Sequence, residues 1–178
     1  NWAAGQTYMN EVVVKYGREA VEVPSVNLGL AEGTGGKVIE ERVVEITSRK
    51  ELDEKDVKGK IVFFNDPMKS HNDYGRAGWQ RRQGPGLAAE KGAKGVVIRS
   101  LTQFMDEHPH TGSTTYSKNA PKIPAIAIST IEAEKLSKTI AENRRVKLAI
   151  SSTAYTRPEQ ATGNNVIGET KGSLHPEN

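Results

Sequence analysis

The stretch "KGKIVFFND" (58–66) sets a turn glycine, Gly59, ahead of four consecutive large apolar residues, Ile61, Val62, Phe63 and Phe64. A strand with one wet face alternates polar and apolar residues, so an unbroken apolar run of this length predicts a strand buried on both faces. Upstream, "KVIEERVVEI" (37–46) reads as a strand ending at Ile46. "SRKELDEKDV" (48–57) then reads as a short helix, opened by Ser48 and Glu51 at capping-box spacing. Downstream, "GPGLAAEKGAKGVVIRS" (84–100) predicts a helix over 87–91, a C-cap glycine at Gly92 and a strand over 96–98.

"KIPAIAIS" (122–129) is the next apolar strand. Ser129 and Glu132 repeat the capping-box spacing and open a helix that reaches Asn143, with Ala133, Leu136 and Ile140 as its apolar stripe. In "RRVKLAISSTAY" (144–155), Val146, Leu148 and Ile150 recur at the period of a half-buried strand, and "NNVIGETKGS" (164–173) reads as a final short strand and turn. The order from residue 38 is strand, helix, strand, loop, helix, strand, long loop, strand, helix, strand. That pattern predicts an α/β domain built on one central sheet. The N-terminal part is harder to read: "EVVV" (11–14) and "AVEVP" (20–24) look like short strands. "LGLAEGTGGK" (28–37) reads as a turn, because it lacks the G-x-G-x-x-G spacing and a following helix. The segments 65–83 and 100–121 are expected to be long ordered loops, since both carry aromatic residues.

Composition narrows the function classes. The chain has 178 residues, enough for one domain with a small appendage, and 35% of them are hydrophobic. Its net charge of +3 comes from interspersed acids and bases, so no nucleic-acid stripe is expected. The absence of cysteine excludes disulfides and thiolate ligands, and no apolar run approaches a membrane span. The start at Asn1, without an initiator Met or a signal-like segment, reads as the mark of an excised piece.

Candidate chemistry concentrates in "DEHPHTGS" (106–113), where His108 and His110 flank Pro109 beside Asp106 and Glu107. A catalytic zinc needs three protein ligands, and the third would have to be His71, Asp66, Asp73, Asp106 or Glu107. None of these stands at helix-borne H-E-x-x-H spacing, so a structured surface loop is the favoured reading. There is no G-x-S-x-G elbow and no cysteine nucleophile. "GRAGWQRRQ" (75–83) offers arginines to an anionic group, but a loop anchored by Trp79 is favoured.

Taken together, "VKGKIVFFNDPM" (57–68), "AAEKGAKGVVIRS" (88–100), "HPHTGSTTY" (108–116), "KIPAIAIS" and "NVIGETKGS" (165–173) resemble a protease-associated (PA) domain, and more narrowly the PA insert of the carboxypeptidase Q family of secreted zinc peptidases. The resemblance implies the PA-domain fold of swivelling β/β/α type, with a central mixed sheet, flanking short helices and long loops. It divides the chain into a lead-in segment (1–37), the PA domain (38–163) and a return strand toward an absent catalytic domain (164–178). It implies a non-catalytic lid and substrate filter over the active site of a secreted or periplasmic exopeptidase. It further implies two zinc ions in the absent domain, with no cofactor, metal ligand or catalytic residue expected on this chain. The expected partners are that catalytic domain, a peptide substrate and a second copy in a homodimer. The resemblance also puts His108, His110, Thr111 and Tyr116 near the substrate, with Arg99 and Ser100 bracing their loop. A free-standing peptide- or protein-binding PA module is the alternative.

Overall fold

A computed structural model describes residues 2–6, 10–16, 19–118, 120–143, 145–161, 164–170 and 172. The elements in chain order are β1 (Trp2–Gln6), β2 (Asn10–Tyr16), β3 (Glu19–Val23), β4 (Ser25–Asn27), β5 (Ile39–Ile46), α1 (Arg49–Glu54) and β6 (Ile61–Phe64). A 3-10 turn (His71–Asp73) precedes α2 (Tyr74–Ala77), α3 (Trp79–Arg82), α4 (Gly84–Glu90) and β7 (Gly95–Arg99). The chain continues through β8 (Ala125–Ile128), α5 (Thr130–Glu142), β9 (Lys147–Ser152) and β10 (Tyr155–Ala161).

Eight strands form one mixed sheet in the order β3-β2-β9-β5-β6-β7-β8-β4. Its centre, β5 to β8, is parallel, and the flanking pairs are antiparallel. This is the predicted α/β fold with a central mixed sheet. Residues 10–27, read apart from the domain in sequence, contribute three of its strands. A separate two-stranded ribbon pairs β1 with β10.

The apolar run in β6 is buried at all four positions, as are β7 and β8 along their length. Register explains why both faces must be apolar. Phe64, Ile98 and Ala127 align across β6, β7 and β8 on one face, where Leu52 of α1 and Ala88 and Ala89 of α4 cover them. Phe63, Val97 and Ile126 align on the other, under Ala133 and Leu136 of α5. The stripe predicted for α5 is thus its buried face, with Ile140 partly buried at its end.

Both predicted caps form, but each makes only half of a capping box. Ser48 Oγ accepts from the Glu51 N–H at 3.2 Å and Ser129 Oγ from the Glu132 N–H at 3.1 Å. The Glu51 carboxylate instead accepts from the Thr47 N–H, and that of Glu132 from Lys135 Nζ. Gly92 ends α4 with φ of +82°, the left-handed backbone that glycine adopts without strain. The helix begins earlier than the sequence predicts, at Gly84, because Pro85 supplies a pre-set φ where no backbone donor is needed.

Segment 65–83 departs from the expected loop, since it holds the 3-10 turn, α2 and α3. Gln80, fully buried, clamps it to the end of β6: its Nε2 donates to the Asp66 carbonyl at 2.8 Å and its Oε1 accepts from the Asp66 N–H at 3.1 Å. Residues 164–170, read as a short strand, are irregular and exposed. Val166 and Ile167 have no neighbouring strand to pair with among the described residues.

Candidate functional site

Arg99 and Ser100 sit at the C-terminal end of β7, the side of a parallel sheet on which α/β folds bind ligands. Arg99 is buried, and its Nη1 donates to Glu134 Oε1 of α5 at 2.6 Å and to Asn65 Oδ1 at 3.2 Å. Asn65 in turn donates to Glu45 Oε1 at 2.6 Å, which also accepts from Ser137 Oγ at 2.7 Å. These bonds join the ends of β5, β6 and β7 to α5. Ser100 Oγ donates to the Ile128 carbonyl and accepts from the His110 N–H, each at 2.7 Å. Ser100 thus ties the loop backbone at His110 to the end of β8, while Arg99 bonds Asn65 and Glu134.

The loop itself has two parts. Residues 111–114 run along the outer edge of β4 and cover it. Thr111 Oγ1 donates to the Asn27 carbonyl at 2.7 Å, the Gly29 N–H to Gly112 O at 2.7 Å, and the Thr114 N–H to Gly29 O at 3.0 Å. Covering an open edge removes a template for unwanted strand pairing. Tyr116, further on, donates its hydroxyl to the Ile123 carbonyl at 2.6 Å. Burial, with a smaller contribution from the Glu32 charge, pushes that hydroxyl far above the usual phenol range, so it stays a neutral donor committed to Ile123.

The second part, residues 102–110, stands over the N-terminus of α5. Thr130 Oγ1 accepts from the Asp106 N–H at 2.7 Å and lies 3.0 Å from Phe104 O and 3.2 Å from Asp106 O. His110 Nε2 meets Asp106 Oδ2 at 2.7 Å, and the His108 N–H donates to Asp106 Oδ1 at 2.8 Å. His108 is exposed. Of the other ligands considered in sequence, Asp66 pairs with Arg76, and Asp73 accepts from the Lys69 and Ser70 N–H groups. No group of three His, Cys, Asp or Glu side chains among the described residues is placed to hold a metal ion.

Asp106 makes the latch acid-sensitive. The His108 N–H first, and the His110 ring second, hold its carboxyl below the usual carboxylate range. A depressed carboxylate adds stability above its unfolded value of about 3.9, and that stability is lost as pH falls through the lower folded value. Amide protection of residues 104–110, corrected for intrinsic exchange, is accordingly expected to fall below about pH 4 while α5 stays protected. Protection that persists until the whole sheet unfolds would rule out a carboxylate-dependent latch.

The arginine-rich segment 75–83 keeps Arg76 and Arg82 exposed and is anchored by Trp79 and the buried Gln80. Arg76 bonds Asp66 and the Pro67 carbonyl, and Trp79 packs edge-on against Phe64 with ring centroids 5.2 Å apart. Arg81 bonds the Tyr74 hydroxyl, lies 5.5 Å from the centre of the Tyr74 ring, and donates to the Thr111 carbonyl at 3.1 Å. A Cβ on Gly112 would stand 2.5 Å from Arg81 Nε, so a larger residue there would displace the guanidinium end of Arg81. Arg81, Thr130 and Asn27 carry much of the site, yet none was singled out in sequence. Their partners are mostly backbone carbonyls, which leave no residue-type signature.

Comparison with known proteins places the geometry in a family. The profile of the PA domain matches residues 21–136. Carboxypeptidase Q from Bos taurus is 34% identical over 154 residues, which is 85% of this chain and 32% of that protein. The chain thus spans about a third of the length of the curated relatives it matches. The fold superposes on a peptidase M28 precursor from Shewanella amazonensis with TM-score 0.79 at 22% identity, covering 88% of this chain and 36% of that one. It also matches a zinc aminopeptidase from Bacillus subtilis with TM-score 0.52 at 15% identity, covering 85% and 32%.

Proposed function

From the premise that this chain belongs to the PA domain family, with carboxypeptidase Q among its relatives, we propose that it is a non-catalytic lid and substrate filter of a zinc-dependent exopeptidase. One observation carries this reading: the polar groups of the site are committed to one another. Tyr116 is tied to Ile123, Thr111 to Asn27, and His110 to Asp106 and Ser100. Groups held this way make a stiff rim that positions and excludes.

His110 Nε2 faces Asp106, and among the described residues no group of three His, Cys, Asp or Glu side chains is placed to hold a metal ion. The zinc ions implied by the relatives belong, on this proposal, to the part of the parent enzyme outside this chain, in an extracytoplasmic setting. Hydrolysis would be done there, and this domain would act by steric selection of short peptides. No helix among the described residues is long and apolar enough to cross a membrane.

The test uses the full-length parent. Replacing residues 103–108 with a Gly-Ser linker is expected to raise kcat/KM for tetra- and penta-alanine relative to di-alanine by roughly tenfold. A length profile identical to that of the parent would remove the lid from the account.

A further inference from the structure

One arginine joins the two long segments of the domain, 65–83 and 100–121. Arg81, near the end of α3, sends its Nη1 to the Thr111 carbonyl at 3.1 Å and its Nη2 to the Tyr74 hydroxyl. Its guanidinium carbon lies 5.5 Å from the centre of the Tyr74 ring. The three atoms nearest to a Cβ built on Gly112 are Arg81 Nε, Cζ and Cδ, so the guanidinium end lies directly against the loop backbone. Nε is buried there. No carboxylate pairs with Arg81 among the described residues, in contrast to Arg76 and Arg99. Its partners are neutral groups, and what they require is a planar set of donors rather than a charge.

The place of the contact decides what it does. Residues 102–110 are fixed to the start of α5 and residues 111–114 to the edge of β4, and Arg81 grips the joint between them from segment 65–83. The next residue holds the far end by its backbone. The Arg82 carbonyl accepts from the Thr115 N–H and from Thr115 Oγ1, each at 2.9 Å. A carbonyl serves whatever side chain stands at 82, whereas the pin at the joint depends on the arginine side chain itself.

Resting on the lid reading above, we propose that Arg81 is the positioning residue of the substrate filter. Acting through Thr111 and Gly112, it locks the two long segments into one rim and so sets the length of peptide admitted. Lysine does not replace it, because a single ammonium cannot donate to Thr111 and to Tyr74 while lying on the ring. Alanine at Gly112 should mimic the loss of Arg81 while leaving that residue in place. The φ of Gly112 lies outside the left-handed region, and the added Cβ would stand where the guanidinium is.

The experiment uses the full-length parent and its Arg81→Lys, Gly112→Ala and double variants, with Tm measured for each. In each single variant kcat/KM for tetra-alanine relative to di-alanine is expected to rise by about threefold or more. The double variant should rise no further than the larger single one, since both changes remove one contact. A ratio between two peptides does not depend on the amount of folded enzyme, so a merely structural contact would lower Tm and leave the ratio alone. An unchanged ratio in either single variant, or effects that multiply in the double one, would overturn the proposal. The linker variant of 103–108 keeps the two readings apart. A profile altered by the linker but not by Arg81→Lys keeps the lid and removes the positioning role. A profile unaltered by the linker removes the lid, and this role with it.

Discussion

Phe64→Ala is expected to destabilise the domain by about 3–5 kcal/mol, the largest single-residue effect foreseen here. Phe64 ends β6 fully buried, among Ile46, Val62, Val96 and Ile98. Truncation removes the ring and leaves a cavity that a sheet held by parallel neighbours on both sides cannot close. The change also takes away the edge of the T-shaped contact with Trp79, whose Nε1 lies 3.4 Å from Asp66 Oδ2. Segment 65–83 would lose one of its anchors to the sheet. Against a total stability of about 5–15 kcal/mol for a domain of this kind, such a loss is a large fraction. Urea unfolding followed by circular dichroism should show a lower midpoint with the slope unchanged. A cost under about 1.5 kcal/mol would mean that the site collapses around the smaller residue and that β6 is not the rigid centre described above.

The features legible in sequence are those with a period or a fixed spacing. The buried strands β6, β7 and β8, the cap at Ser129 and the stripe of α5 each show one. What escaped is short or non-local. With three residues, β4 carries no period, and β10 contains Pro158, which argues against a strand when read alone. The glycines Gly75 and Gly78 hide α2 and α3, each four residues long. The reading of "HPHTGSTTY" as one recognition loop merged two structures. Residues 111–114 seal the edge of β4, a role set by the carbonyls of Asn27 and Gly29 some eighty residues earlier.

Glu134→Ala is expected to destabilise the domain more than Arg99→Met, although Glu134 is the more exposed partner. The Arg99 side chain is 7% exposed and that of Glu134 55%. Losing Arg99 leaves a carboxylate that turns to water and one acceptor, Asn65 Oδ1, without this donor, at about 1–2 kcal/mol. Losing Glu134 leaves a buried guanidinium held by Asn65 alone, with its Nε already lacking a hydrogen-bond partner among the described residues. Stranding a buried charge costs about 3–5 kcal/mol, and the half-exposed position of Glu134 brings the expected figure to about 2–4 kcal/mol. A double-mutant cycle on urea unfolding should return a double variant less destabilised than the sum of the two single ones. The opposite ranking, with Arg99→Met the worse, would mean that the packed stem of the arginine matters more than its charge. The consequence for function runs through α5. This helix carries Thr130, and Thr130 holds the backbone of Phe104 and Asp106, so weakening the grip of Arg99 on Glu134 should lower amide protection at 104–106 as well. The rim at 104–106 is thereby tied to an ion pair one turn along the same face of α5 from Thr130.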